Sequence, residues 1–151
     1  MKIVDGKDYI PQIKELIAEY VGRLNMDLGF QNIDEELSDP AAKYTPPQGE
    51  LLAAIEDDTL FGMVAYHKHS DTRCEMKRLY VRPSARGLSL GDALVKEILE
   101  RAAKAGYKEM VLDTLCHMQA AIHLYKKYGF TECEPYYNNP MDDVIYMIKK
   151  L

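Results

Sequence analysis

The residues best suited to chemistry by type and spacing lie between Leu79 and Val95. Leu79-Tyr80-Val81 is a short aromatic and β-branched run that ends at Arg82-Pro83. Arg86-Gly87-Leu88-Ser89-Leu90-Gly91 follows as a glycine-bearing turn, and an amphipathic stretch begins at its end. A strand feeding a glycine-rich turn that opens a helix gathers unpaired backbone N–H groups at the positive end of the helix dipole. That arrangement predicts a phosphate-bearing ligand. The turn is not a phosphate loop of the Gly-Lys-Ser/Thr kind, and it lacks the Gly-x-Gly-x-x-Gly dinucleotide fingerprint. Five bases (Arg73, Lys77, Arg78, Arg82, Arg86) against one acid, Glu75, suggest a basic patch around it that suits a polyanion.

The elements that must position this turn are legible from periodicity. Met1–Val4 reads as a first strand. Asp8 is a candidate N-cap for a helix carrying Ile13, Leu16, Ile17, Tyr20 and Leu24 on one face, with Pro11 in its first turn. Asn32 and Glu35 resemble a capping box for a second, short helix through Leu37, and Ser38 to Gly49 reads as a long proline-bearing loop placed to shape a pocket. Three strands follow at Leu51–Glu56, Leu60–His67 and Cys74–Val81, joined by short polar turns and so expected as antiparallel hairpins. Ser89 to Ala105 is a helix with Leu90, Leu94, Ile98 and Ala102 in one stripe, and Ser89 with Asp92 suggests a capping box at its start. A strand within Tyr107–Thr114, a helix over Gln119–Tyr128, and strands at Phe130–Glu134 and Val144–Ile148 complete the chain. The order β-α-α-β-β-β-α-β-α-β-β predicts one α+β domain over residues 1–151, a mixed, mostly antiparallel sheet with helices on both faces.

Composition narrows the partners. At 151 residues with 47% apolar and 28% charged residues, the chain is an ordinary globular domain. A net charge of −5 argues against nonspecific nucleic-acid binding or an anionic membrane surface. No apolar run approaches the roughly 18 residues of a membrane helix, and the start lacks a signal-peptide core. Cys74, Cys116 and Cys133 form neither a disulfide framework nor a CxxC pair, which suits a reduced, cytoplasmic setting. Residues 1–60 carry thirteen acids and five bases; with Asp34, Glu35, Glu36 and Asp39 near the pocket loops, this favours a cationic acceptor for whatever group is handled.

Two separated motifs now coincide. Arg86-Gly87-Leu88-Ser89-Leu90-Gly91 resembles the acetyl-CoA pyrophosphate loop of the GNAT superfamily of N-acetyltransferases, Arg/Gln-x-x-Gly-x-Gly/Ala. Ala121-Ile-His-Leu-Tyr-Lys-Lys-Tyr-Gly-Phe130 resembles the family's Ala-x-x-Leu-Tyr-x-x-x-Gly-Phe segment. The resemblance runs from about Cys74 to Phe130, and the element order extends it over the whole chain. It implies acetyl-CoA as acyl donor, no metal, and direct acetyl transfer to a primary amine on a small molecule or peptide; it also leaves room for a homodimer. Gly87, Leu88, Leu90 and Gly91 would offer N–H groups to the pyrophosphate, with Ser89 and Asp92 in the same turn and Arg86 adding charge. Leu79 and Val81 would pair their main chain with the pantetheine arm, and the Leu79 N–H region would stabilise the oxyanion. Ser89 stands where the family has glycine, and Met118 where many members have asparagine.

The resemblance also assigns two catalytic candidates. Tyr125 would protonate the departing thiolate, with Tyr128 in reserve. Glu75, read as sharing strand parity with Leu79 and Val81, would take a proton from the acceptor ammonium, directly or through water. Tyr136-Tyr-Asn-Asn-Pro140 would line an acceptor pocket. His67-x-His69 has no companion ligands for a metal, and the adjacent Cys116-His117 does not suit a covalent intermediate. The alternative function is a CoA-binding sensor or regulatory module without turnover. A doubly wound nucleotide-binding domain is disfavoured by the three consecutive strands between residues 51 and 81.

Overall fold

The structure, a computed structural model, describes residues 1–24, 43–139 and 143–151. Within them, seven strands form one sheet in the order β1-β2-β3-β4-β5-β7-β6: Lys2–Asp5, Gly49–Glu56, Thr59–Lys68, Arg73–Val81, Glu109–Leu115, Thr131–Glu132 (β6) and Val144–Lys150 (β7). Every pairing is antiparallel except β4 with β5, which run parallel. Helix α1 (Ile10–Leu24) covers one face; α2 (Leu90–Lys104) and α3 (Gln119–Lys127) cover the other. The mixed α+β architecture agrees with the pattern read from the sequence. The suggested helix at 32–37 and residues Asp34, Glu35, Glu36 and Asp39 lie outside the described residues.

The two cores follow from strand alternation. Ala53, Met63 and Ala65 meet Ile13, Leu16 and Ile17 of α1, while Leu52, Val64, Cys74 and Met76 meet Leu94, Val95 and Ile98 of α2. The β2–β3 hairpin turns through Asp57 and Asp58, both at positive φ (50° and 62°), as a two-residue turn of primed type requires. The first helix starts differently from expectation. Asp5, not Asp8, supplies the cap, accepting from Lys7 N across a 3-10 turn at Gly6–Tyr9.

One irregularity in β4 organises the site. Before it, Glu75, Met76 and Lys77 pair with His67, Tyr66 and Ala65; beyond it, Tyr80 and Val81 pair with Met63 and Gly62. The shift leaves Arg78 and Leu79 opposite Val64, a β-bulge, and Arg78 takes the left-handed conformation at φ 61°. The extra residue reverses side-chain alternation. Lys77, opposite Ala65, faces α1, whereas Leu79 and Val81 pack into the α2 core. The expected shared parity of Glu75 with Leu79 and Val81 is therefore corrected: Glu75 lies on the opposite face. Among the described residues no helix is long and apolar enough to cross a membrane.

Candidate active site

Strands β4 and β5 pair over only three positions, Arg73–Glu75 against Glu109–Val111. Beyond them both strands continue, β4 to Val81 and β5 to Leu115, with no further pairing between them. A strand edge left unpaired inside a sheet offers main-chain donors and acceptors to an extended ligand. A cleft of about 920 Å³ opens there. Its walls include Leu79 and Val81 of β4, Arg86, Gly87, Ser89, Leu90, Gly91 and Asp92 of the turn, and His117, Met118, Ala121 and Leu124 at and before α3.

Eight of the nine residues expected to hold the ligand thus line one cleft; Leu88 does not, its side chain being 65% exposed. The turn places the first N–H groups of α2 at the cleft. Ser89 sits at the N-cap position with φ 56° and makes no side-chain cap bond, so the anticipated capping box does not form. That left-handed backbone gives a physical reason for glycine at this position in the family. The Asp92 carboxylate turns instead to α3, accepting from Lys127 Nζ and from Tyr128 OH (3.2 Å). Lys127 above all holds the Asp92 carboxyl below its ordinary range. Tyr128, the reserve acid, is thereby engaged with Asp92.

The expected basic patch does not assemble. Arg73 binds Glu109 (2.6 Å), Arg82 donates to Leu60 O (2.9 Å) and lies 3.6 Å from Glu19, and the Arg78 guanidinium stands over the Tyr20 ring at 5.9 Å. Lys77 lies near Glu75, leaving Arg86, which also donates to Val81 O (3.3 Å), as the one member of the five on the cleft wall. The five bases do not form a patch at the turn because Lys77 and Arg78 lie on the face toward α1, Arg73 and Arg82 are engaged elsewhere, and Arg86 alone of the five lines the cleft.

Tyr125 is buried on the face of α3 that packs on the sheet, its ring edge-on to Phe130 at 5.9 Å between centroids. Its hydroxyl has no hydrogen-bond partner among the described residues. Burial first, then Tyr20 and Asp113, raises its pKa, so it holds its proton throughout the neutral range. Tyr125 itself is not on the cleft wall, although Ala121, one turn earlier, is.

Glu75 stands at the apex of the splay, the last β4 residue paired with β5. Tyr136 OH donates to its Oε2 at 2.5 Å, and Lys77 Nζ lies 3.8 Å from Oε1. Beside it Asp113 accepts from Tyr137 OH and from Asn139 Nδ2 (2.9 Å), while Tyr146 OH donates to Tyr137 O (2.9 Å). The aromatic loop expected to line an acceptor pocket therefore wraps the Glu75 carboxylate. Asp113 and Tyr146 were not singled out by sequence, and Lys77 only as a member of the basic patch, since isolated polar residues in a strand carry no signal of convergence. No group of three or more potential metal ligands occurs among the described residues.

Comparison with known proteins places this geometry. The Acetyltransferase (GNAT) family model matches residues 12–130. An uncharacterised N-acetyltransferase of Schizosaccharomyces pombe is 50% identical over 140 residues, covering 91% of this chain and 86% of the relative. An acetyltransferase structure from Streptococcus agalactiae superposes with a TM-score of 0.82 at 20% identity, covering 99% of this chain and 98% of that one. A GNAT acetyltransferase from Elizabethkingia anophelis solved with acetyl-CoA has a TM-score of 0.62 at 22% identity, covering 80% and 82% of the two chains. The splayed strands, the glycine turn at the start of α2 and the match over most of the sequence lead to one conclusion: this chain belongs to the GNAT family of acetyltransferases.

Proposed function

We propose that this protein transfers an acetyl group from acetyl-CoA directly to a primary amine, on a small molecule or a peptide, within a ternary complex. The observation that carries the reading is the splay itself. Its free β4 edge leads from the phosphate-binding turn to Glu75. On this reading the N–H groups of Gly87, Leu90 and Gly91 hold the pyrophosphate, and the β4 main chain at Leu79 and Val81 aligns the pantetheine arm. Gly91 suits close approach, because a Cβ there would already stand 3.3 Å from the Leu124 side chain.

Glu75 removes one proton from the acceptor ammonium. The freed amine attacks the thioester carbonyl, forming the N–C bond, while the Leu79 N–H region stabilises the oxyanion. The nitrogen then gives up a second proton to solvent as the carbonyl re-forms and the C–S bond breaks. Tyr125 supplies a proton to the departing sulfur and recovers one from solvent. Its raised pKa keeps the phenol protonated in the neutral range. Glu75 and Tyr125 belong to opposite faces of the sheet, so the splay is the route by which both would reach one thioester.

Thiol release from acetyl-CoA across amino acids, polyamines, aminoglycosides and lysine peptides tests the reading. Release with at least one amine is expected. CoA binding by calorimetry with no turnover for any amine would favour the sensor alternative. Tyr125→Phe keeps the packing against Phe130 and should lower kcat by about 10²-fold with an unchanged melting temperature; full activity would remove only the acid assignment.

A further inference from the structure

The acceptor side of the splay contains one cation whose surroundings are incomplete. Lys77 lies two residues beyond Glu75 on the face toward α1, with its side chain only 11% exposed. Its nearest acidic atom, Glu75 Oε1, stands at 3.8 Å, beyond hydrogen-bond range, and no acceptor among the described residues bonds its ammonium. A mostly buried lysine whose ammonium has a loose ion pair and no hydrogen bond from the described residues has donors to spare for a ligand carboxylate.

The neighbouring carboxylates are already satisfied by neutral donors. Glu75 takes the Tyr136 hydroxyl, and Asp113 takes Tyr137 and Asn139. Cations crowd the same place. Burial above all lowers the pKa of Lys77, and Arg78 and Lys43 add to this against the pull of Glu75 and Asp113; the left-handed bulge turns Arg78 toward α1 and Tyr20, on the same side of the sheet as Lys77. A non-glycine residue held at positive φ stores backbone strain, and here that strain places two consecutive basic residues on one face.

We propose that the acceptor is an amino acid, its carboxylate bound by Lys77 and its amine presented to Glu75. The inference rests on the acetyl-transfer reading and narrows it. An ammonium and a carboxylate 3.8 Å apart form the charge complement of the amine and the carboxylate that an amino acid carries on one carbon. The acceptor carboxylate supplies the hydrogen-bond acceptors that Lys77 lacks, and it anchors the amine beside the base. The acidic first third of the chain had favoured a cationic acceptor; the groups at the apex favour a zwitterion.

The test uses matched acceptors: the twenty L-amino acids, their carboxamides, and the corresponding decarboxylated amines, with CoA affinity measured first by calorimetry. The wild type should prefer at least one free acid over its carboxamide by about 10²-fold in kcat/KM, as expected for a buried charge pair. Lys77→Met, which keeps the buried alkyl chain, should bring that ratio close to one, mainly through KM, with the CoA dissociation constant unchanged. Lys77→Arg should restore part of the preference. Carboxamides or simple amines accepted as well as acids would overturn the proposal, as would a Lys77→Met loss that is equal for acid and amide. Turnover confined to amines without a carboxylate would overturn it while leaving acetyl transfer intact. Failure to bind CoA would remove both.

Discussion

Strand β4 carries two differently built sites on either side of Arg78. Downstream, the residues at the cleft offer main chain: the β4 edge at Leu79 and Val81, then the N–H groups of a turn whose members are consecutive in the chain. Upstream, the residues at the apex offer side chains: Glu75 and Lys77 from β4, Asp113 from β5, and Tyr136 and Asn139 from the segment before β7. The downstream half needs a backbone shape and tolerates change in side chains. The upstream half presents particular functional groups at particular distances, and on the proposed reading it selects the acceptor.

That contrast is sharpest at Glu75. Glu75→Gln preserves an acceptor for the Tyr136 hydroxyl but removes the proposed base, and should lower kcat/KM for the amine by about 10²-fold or more. The CoA dissociation constant should remain within about twofold. A parallel loss of CoA affinity would show that the two halves of β4 do not act separately.

A smaller effect is expected on the other side of the bulge. Ser89 occupies a left-handed conformation without a cap bond to compensate. Ser89→Gly removes the steric cost and adds chain entropy to the unfolded state, for a net gain of about 0.5–1 kcal/mol. A rise of about 2 °C in melting temperature is expected, with acceptor KM unchanged. Lower stability would mean that the serine hydroxyl has a role the backbone does not reveal.

The smallest effect concerns the tie between α2 and α3. Lys127 depresses the Asp92 carboxyl below its ordinary 3.8. The stabilising contribution is therefore complete above that value and disappears as pH falls through the lower, folded-state value. Thermal melts of the wild type and Asp92→Asn should differ most near neutral pH and converge on acidification. A gap that persists at low pH would place the cause in packing rather than in charge.

Much of the downstream half was legible because its signals are local. Arg86 to Gly91 are adjacent, the stripe of Leu90, Leu94 and Ile98 has helical spacing, and the Tyr125 segment carries its own pattern. The upstream half was only partly legible. Glu75 and the Tyr136 loop were identified separately, yet the two partners of their hydrogen bond are 61 positions apart in the chain. The supposed basic patch failed for a related reason, since nearness in sequence does not reveal distant partners: Arg73 goes to Glu109 and Arg82 to Leu60 O and Glu19.

Taken by itself, the sequence determined the succession of elements among the described residues, the two cores through their alternating and helical periodicities, and a glycine-bearing turn at the start of α2. These depend on interactions between residues close along the chain. Tertiary structure alone decided where β4 parts from β5, that Arg78 adopts a left-handed bulge, and that Glu75 and Lys77 consequently stand opposite the face of Leu79 and Val81. A bulge is a mismatch between two strands, and alternation along either strand alone does not disclose which residue will be the extra one.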